Sequence, residues 1–448
     1  MLAVRQAFLR SGGCWDEIPV VFRYTKGAGD GIPNRKSIKK TEAEAMKKRW
    51  LIPLTVLAML LCMPALAQEA QDITADCAIS ATAGKFKLKR INDRDWGTTY
   101  VSNKVKNPYV ALTAPQGQPI YGLYVCFGDK VTPWRVEAMH QGKWETVYQS
   151  TAEYAHQYAP LNGETEVRVV PDTNKQAVLT ISEIFAFGEG DVPGYVQQWD
   201  PTCEKADLLV ISAHPDDEIL FFGGTIPYYA AEQQMNVVVA YMTCGTMERR
   251  SELLNGLWEM GLRNYPVIGT FWDKYSKKLD TAYENWGKTK TLKYVTELYR
   301  KYRPEVVVTH DVNGEYGHGA HRVCADAAVK CAAFAADAGK YPESSALYGA
   351  WQVKKVYLHL YDQGALEMDW DQPMEAFGGE TGYEVAVAGY AWHESQHEAG
   401  QKNKDTGKFE VFKVEPRDSD YSCYRFGLAY TAVGQDALRN DFFENIAQ

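Results

Sequence analysis

Cysteine, basic charge and long apolar runs are all scarce in this chain. Only 9 of its 448 residues are Cys and no CxxC pair occurs, so a thiolate zinc site or thioredoxin-like redox chemistry has no support. Seven of them follow residue 67: Cys77, Cys126, Cys203, Cys244, Cys324, Cys331 and Cys423. Cys324 and Cys331 share a helical face but stand about 10 Å apart in rise, too far for a bridge. Lys+Arg total 48 against 57 Asp+Glu, a formal net charge of −9. No nucleic-acid partner gripped through its phosphates is expected from that balance. The 36 Gly and 19 Pro follow no collagen-like repeat, and 46% hydrophobic residues exclude a wholly disordered chain. A single apolar run approaches the length of a membrane span, which excludes a polytopic membrane protein. What is present is two or three domains' worth of ordinary globular sequence.

That one apolar run lies in residues 46–67, MKKRWLIPLTVLAMLLCMPALA. Lys47, Lys48 and Arg49 precede an apolar stretch from Leu51 to Cys62, and Ala65-Leu66-Ala67 reads as a small-x-small cleavage site. This is the pattern of a secretory signal peptide, and it predicts a secreted or extracytoplasmic protein beginning near Gln68. Pro53 and Pro64 interrupt the run, so no stable membrane anchor is expected; a retained signal anchor is the alternative. Residues 1–45 precede Met46 and are expected to be an upstream over-extension.

Residues 72–197 consist of short alternating runs separated by turn signals, among them IYGLYVCFG, WRVEAM, WETVYQS, EVRVVPD and AVLTISEIFAFG. Period-2 alternation at this spacing predicts an all-β sandwich. The order DRDWGTTYVS (93–102), NPYVAL, IYGLYVCFG, GKWETV, EVRVV and ISEIFAFG (181–188) resembles the discoidin or coagulation-factor type C domains. These are jelly-roll sandwiches often used as carbohydrate-binding modules. The resemblance implies a structural Ca2+ near Asp93 or Asp95 with Glu183; a spacer sandwich without a ligand is the alternative.

Residues 190–206 carry Pro, Gly and polar residues without periodicity and read as a linker. Beyond them, in 203–448, strands and helices alternate. Strands are predicted at 206–213, 235–243, 266–272, 305–310 and 355–361, with helices near 218–233, from Glu248 to Leu262, and over 289–302 and 320–336. That alternation predicts a Rossmann-like α/β domain with a mostly parallel sheet, whose ligands sit at the carboxyl ends of strands. No GxGxxG follows the first strand, which disfavours a dinucleotide.

The chemistry-bearing residues gather after the first and fourth of these strands. Ala213-His214-Pro215-Asp216-Asp217-Glu218 places an imidazole and carboxylates at the first strand end. A His and an Asp three apart can grip one cation, which frees the neighbouring Asp to act as a base. After the fourth strand comes THDVNGEYGHGAH (309–321), so that four of the 9 histidines fall within 214–321. His318 and His321 share a helix face. Two histidines and a carboxylate, with a fourth position for water, compose a catalytic zinc site.

AHPDDE and the later YGHGAH together resemble the LmbE-like family that includes the phosphatidylinositol-glycan class L (PIG-L) deacetylases. The resemblance runs from about 205 to 335 and on towards 435. It implies a zinc- or other divalent-metal-dependent N-deacetylase acting on N-acetylglucosamine-type groups of a glycan. Carried over, His214, Asp217 and His321 are the metal ligands and Asp216 the general base. His318 stabilises the oxyanion or acts as an acid, and Tyr316 is a second oxyanion donor. Arg249, with Glu252 three residues on, fits the family's Arg and Glu and is expected to face sugar hydroxyls, as is Asp273. His393-Glu394-Ser395-Gln396 resembles the late HxSQ segment, with His393 expected at the surface. The competing readings are an amide hydrolase on another small N-acyl substrate and a non-catalytic glycan-binding protein.

Overall fold

The computed structural model describes residues 68–128, 131–402 and 407–446. The expected over-extension and signal peptide lie outside the described residues. Among these, no helix is long and apolar enough to cross a membrane.

The N-terminal half is a sandwich of two antiparallel sheets. One has five strands in the order Ala78–Ala81, Val110–Thr113, Glu166–Pro171, Trp134–His140 and Lys143–Ser150. The other has four, in the order Tyr100–Val101, Thr180–Phe187, Ile120–Phe127 and His156–Glu164. Alternation fails where it should: Ile120–Phe127 and Thr180–Phe187 are buried almost along their whole length, because they are central strands with both faces covered.

The C-terminal half is built on a seven-stranded sheet in the order Val267–Ile268, Val237–Tyr241, Leu208–Ser212, Val306–Thr309, Lys355–His359, Arg425–Thr431 and Ala365–Glu367. The first five are parallel and Arg425–Thr431 runs against them. Leu208–Ser212, Val237–Tyr241 and Val306–Thr309 are completely buried, as continuous Val/Ile/Leu runs in a covered parallel sheet should be. The strand order reverses between Leu208–Ser212 and Val306–Thr309, and a crevice opens at the carboxyl ends of such a pair.

Two predicted elements differ. The helix expected over 218–233 is split into Asp217–Leu220 and a wide turn at Pro227–Glu232. Between them Gly223 has φ +47°, and a Cβ on Gly224 would lie 2.7 Å from the Trp370 ring; the close approach of that indole breaks the helix. The third strand shortens to Val267–Ile268.

The segment predicted as a linker is instead an interface. Val196, Gln197 and Trp199 are buried, and Gln197 ties the sandwich to the Met247–Glu259 helix. Its Oε1 accepts from His156 Nδ1 at 2.9 Å and from Trp199 Nε1 at 2.9 Å, while its Nε2 donates to Asn255 Oδ1 at 2.7 Å. With its Nδ1–H so engaged, His156 accepts at Nε2 from the Ser251 hydroxyl at 3.2 Å. Arg250 donates to the Phe127 carbonyl at 2.7 Å, and Tyr154 stacks on Tyr265 with centroids 4.4 Å apart.

Burial, reinforced by the Arg250 charge, pushes His156 down to about 3. The unfolded chain takes up a proton as pH falls through about 6.5, whereas the folded ring does not. Stability contributed by neutral His156 is therefore complete above that pH and is lost progressively between about 6.5 and 3, by an amount on the order of a few kcal/mol. Urea midpoints measured from pH 7 to pH 4 should fall more steeply for the wild type than for His156→Gln, which starts lower at pH 7.

Candidate active site

Local geometry at the first strand end is unusual. Asp216 has φ +106° and ψ −34°, a conformation that costs a non-glycine residue on the order of 1–3 kcal/mol. Glu218 holds it there, accepting the Asp216 N–H at Oε2 over 3.1 Å. The turn directs Asp217 towards the sheet crevice and Asp216 towards Arg249, whose guanidinium lies 2.9 Å from Asp216 Oδ1 and also donates to the Pro215 carbonyl. The second loop needs Gly314 at φ +66°, where a Cβ would collide with the His318 carbonyl. His318 then caps the Gly319–Ala336 helix, its Nδ1 accepting from Ala320 N at 3.2 Å.

These two loops bring three donor atoms together. Asp217 Oδ2 lies 2.9 Å from His214 Nδ1 and 3.2 Å from His321 Nε2, and the two imidazole nitrogens are 3.4 Å apart. Donors about 2.0–2.2 Å from a tetrahedral ion are separated by slightly more than 3 Å, so this triangle fits a divalent cation. The field at its centre also suits one. Burial opposes charge on both rings, yet Asp217 beside them pushes His214 up to about 9 and His321 up to about 10.

A buried acceptor orients the His321 ring, and a carboxylate faces the His214 ring. His321 donates from Nδ1 to Glu315 Oε2 at 2.8 Å, which leaves Nε2 facing the triangle. His214 Nε2 lies 3.3 Å from Asp273 Oδ1, so Asp273 faces the outer edge of that ring as well as lining the pocket. Such carboxylate partners set the tautomer and the basicity of a ligating His.

Besides this triangle, two overlapping groups among the described residues are close enough to share a cation: His214, His318 and His321, and Asp217, His310 and His321. Hydrogen bonding argues against His310 and His318 as ligands. His310 Nε2 accepts from Ala213 N at 3.0 Å and its Nδ1 faces Glu315 Oε2 at 2.9 Å, so neither nitrogen is free. His318 uses Nδ1 as the helix cap, which in a neutral ring leaves a proton on Nε2. Burial and the adjacent His321 and His214 charges push it down to about 3, keeping it a neutral donor.

Both Asp216 and His318 line one pocket with His214, Asp217, Arg249, Asp273, Tyr316 and His321. Burial raises Asp216, against the opposing pull of Arg249. The cavity measures about 310 Å³, and Phe221 and Phe412 supply apolar wall.

One expected placement, that of His393, is overturned, and three other sets of residues meet partners that the sequence did not indicate. Tyr316 lines the pocket, but its hydroxyl donates to Glu415 Oε1; a phenol has one proton to give, so it is not free for an oxyanion in this arrangement. Arg249 is in the pocket, where its guanidinium engages Asp216 and the Pro215 carbonyl. His393 is fully buried, with both ring nitrogens unpartnered, packed over Gly256 and beside Tyr390. In the sandwich, Glu183 is held by Arg94, through its N–H at 2.8 Å and its guanidinium at 3.4 Å. Asp93 accepts from the Thr98 hydroxyl and Asp95 from Gly97 N.

Sequence reasoning missed Glu315, whose signal was its place between two histidine-bearing turns in HDVNGEYGHGAH. It also missed His359, which faces Glu315 Oε1 at 2.6 Å and the Ser422 carbonyl at 3.1 Å. The HxSQ resemblance acquires a physical role here. Glu252 accepts from Ser395 N at 2.6 Å and from its hydroxyl at 2.7 Å, and this places Gln396 in the pocket wall.

Residues 209–332 match the family model described as GlcNAc-PI de-N-acetylase (PIG-L). The chain is 28% identical over 190 residues to a 1D-myo-inositol 2-acetamido-2-deoxy-alpha-D-glucopyranoside deacetylase of Frankia casuarinae, covering 36% of this chain and 61% of that protein. It thus spans less than two thirds of that relative's length. Among solved structures it is similar to N,N'-diacetylchitobiose deacetylase from Pyrococcus horikoshii, at 19% identity over 43% of this chain and 72% of that one, with a TM-score of 0.33. It is also similar to the family 32 carbohydrate-binding module of C. perfringens NanJ, at 11% identity over 26% and 98%, with a TM-score of 0.23.

Replacing Glu315 by Gln should lower divalent-metal affinity about 10–100-fold, because His321 loses its charged acceptor. Chelator competition monitored by metal analysis checks this.

Proposed function

We propose that the chain is a divalent-metal-dependent N-deacetylase that hydrolyses the acetamide of N-acetylglucosamine-type sugars and releases acetate. The observation that carries this reading is the convergence of His214 Nδ1, Asp217 Oδ2 and His321 Nε2 within 2.9–3.4 Å of one another, beside a buried Asp216 and a neutral His318. The donor set of two imidazoles and one carboxylate suits Zn2+.

A cation held by those three residues supplies Lewis acidity, acidifying water and polarising the amide carbonyl. Asp216 takes a proton from the attacking water. Its burial favours proton uptake, while the Arg249 guanidinium fixes the carboxylate's direction, which suits a general base near neutral pH. His318 donates from Nε2 to the oxygen on which charge develops as the carbonyl carbon becomes tetrahedral. Asp216 then returns its proton to the departing nitrogen, leaving acetate and a free amino sugar. Asp273 and Arg249 at the pocket wall are proposed to meet sugar hydroxyls in addition to the contacts they make within the protein.

The signal-like 46–67 segment supports an extracytoplasmic location. The sandwich supports a glycan as the substrate's setting. Relatives named for a 2-acetamido glycoside support the acetamide as the reacting group.

Asp216→Asn should keep its metal while losing roughly 10²–10⁴ in turnover. Acetate release from N-acetylated mono- and oligosaccharides, with metal content measured on the same samples, tests this. Chelator should abolish release and added divalent metal restore it. Release that is indifferent to both treatments would overturn the reading.

A further inference from the structure

The loop that carries Asp273 presents two large aromatics to solvent. Trp272 is 80% exposed and Tyr275 62% exposed, whereas an isolated exposed apolar residue is ordinary and a pair on one loop beside a polar cavity is not. The loop itself is held firmly. Phe271 is buried against Trp286 and Tyr294, each with centroids 5.3 Å apart. The Trp286 indole donates to the Trp272 carbonyl at 3.0 Å, and Gly319 N donates to the Ser276 carbonyl at 2.7 Å. Phe271 N is bonded to the Met242 carbonyl at 3.1 Å. The backbone is thus braced from the sheet and from the helix that bears His321, while the two rings are left uncovered.

Tyr275 also lines the pocket and meets the His318 ring edge-on at 5.0 Å, so this loop is continuous with the candidate active site. A cavity of about 310 Å³ is at the small end for ligand sites and has room for one acetamido sugar ring. Any sugar linked to that ring must lie outside it. Pyranose rings present a face of C–H bonds that packs on an aromatic face, and rings fixed in advance on a braced loop lose little entropy on binding.

Resting on the deacetylase reading for the sugar in the pocket, we propose that Trp272 and Tyr275 form a stacking subsite for the neighbouring sugar of an oligosaccharide, so that the preferred substrate is an extended N-acetylated chain. The rim selects chain length; the pocket selects the acetamide.

Calorimetric titration of the full protein with N-acetylglucosamine and with tetra-N-acetylchitotetraose tests the subsite without requiring turnover. Tighter binding of the tetrasaccharide is expected. Trp272→Ala and Tyr275→Ala should each shrink that preference by about 2- to 10-fold, and Trp272→Phe should retain most of it. Thermal melting should leave Trp272→Ala close to wild type, since the ring is exposed. In parallel, kcat/KM for acetate release should drop more for the tetrasaccharide than for the monosaccharide in Trp272→Ala, through KM. Equal affinity for both ligands in the wild type, or a preference that survives both alanine variants, would overturn the subsite and turn attention to a protein partner for this rim. A chain-length preference in binding with no acetate release would support the subsite and sink the deacetylase reading instead.

Discussion

The organisation of the site depends on one buried carboxylate. Glu315 has no exposed side-chain surface, and three imidazoles face its two oxygens: His310 and His321 at Oε2, His359 at Oε1. The Asp311 N–H adds a fourth donor at 3.1 Å. Burial alone would drive such a group neutral, but the surrounding rings hold it well below the ordinary carboxylate range. A buried charge is tolerated only when it is fully hydrogen-bonded, and here that requirement determines the orientation of the three rings that face it. His321 turns Nε2 to the metal triangle because Nδ1 is taken. His310 is locked between Glu315 and Ala213 N. His359, from the next strand of the sheet, faces acceptors at both nitrogens and so ties that strand to the loop.

The Met247–Glu259 helix performs a second task of the same kind. One face carries Arg249, against Asp216, and Glu252, which grips Ser395. Another face carries Arg250, Ser251 and Asn255, all bonded to the sandwich or to the segment joining it. The sandwich is therefore packed against the helix that braces Asp216, with no free tether between the halves. A glycan met by the sandwich would stand in a fixed relation to the pocket, in contrast to a module on a flexible linker, whose reach would be set by its length.

Much of the architecture was legible from local pattern. The parallel strands announce themselves as continuous apolar runs; AHPDDE follows its strand end directly and YGHGAH lies in the loop and helix start after the Val306–Thr309 strand. Where pattern misled, a distant group was responsible. Trp370 and Cys423 press on Gly223 and Gly224 and break a helix that the local periodicity favours. Residues 190–206 look like a polar linker because, apart from the bond that Trp199 makes to Gln197, the partners of this pair are distant, on the sandwich and on the Met247–Glu259 helix. His393 has the composition of a surface turn, yet Gly256 leaves a space into which its ring is packed.

The sequence by itself determined the strands and helices, the loops on which the chemistry-bearing residues lie, and the residue types available to hold a cation and move a proton. These are properties of neighbours within a few positions, and period and spacing express them. Only the tertiary structure decided which nitrogen of each His faces which acceptor, that Tyr316 gives its proton to Glu415, and that Arg249 braces Asp216. It also decided that Ser395 is clamped by Glu252 from 143 positions away. Hydrogen-bond direction inside a low-dielectric interior is set by whichever groups the fold brings into contact, and the chain's local order carries no record of that choice.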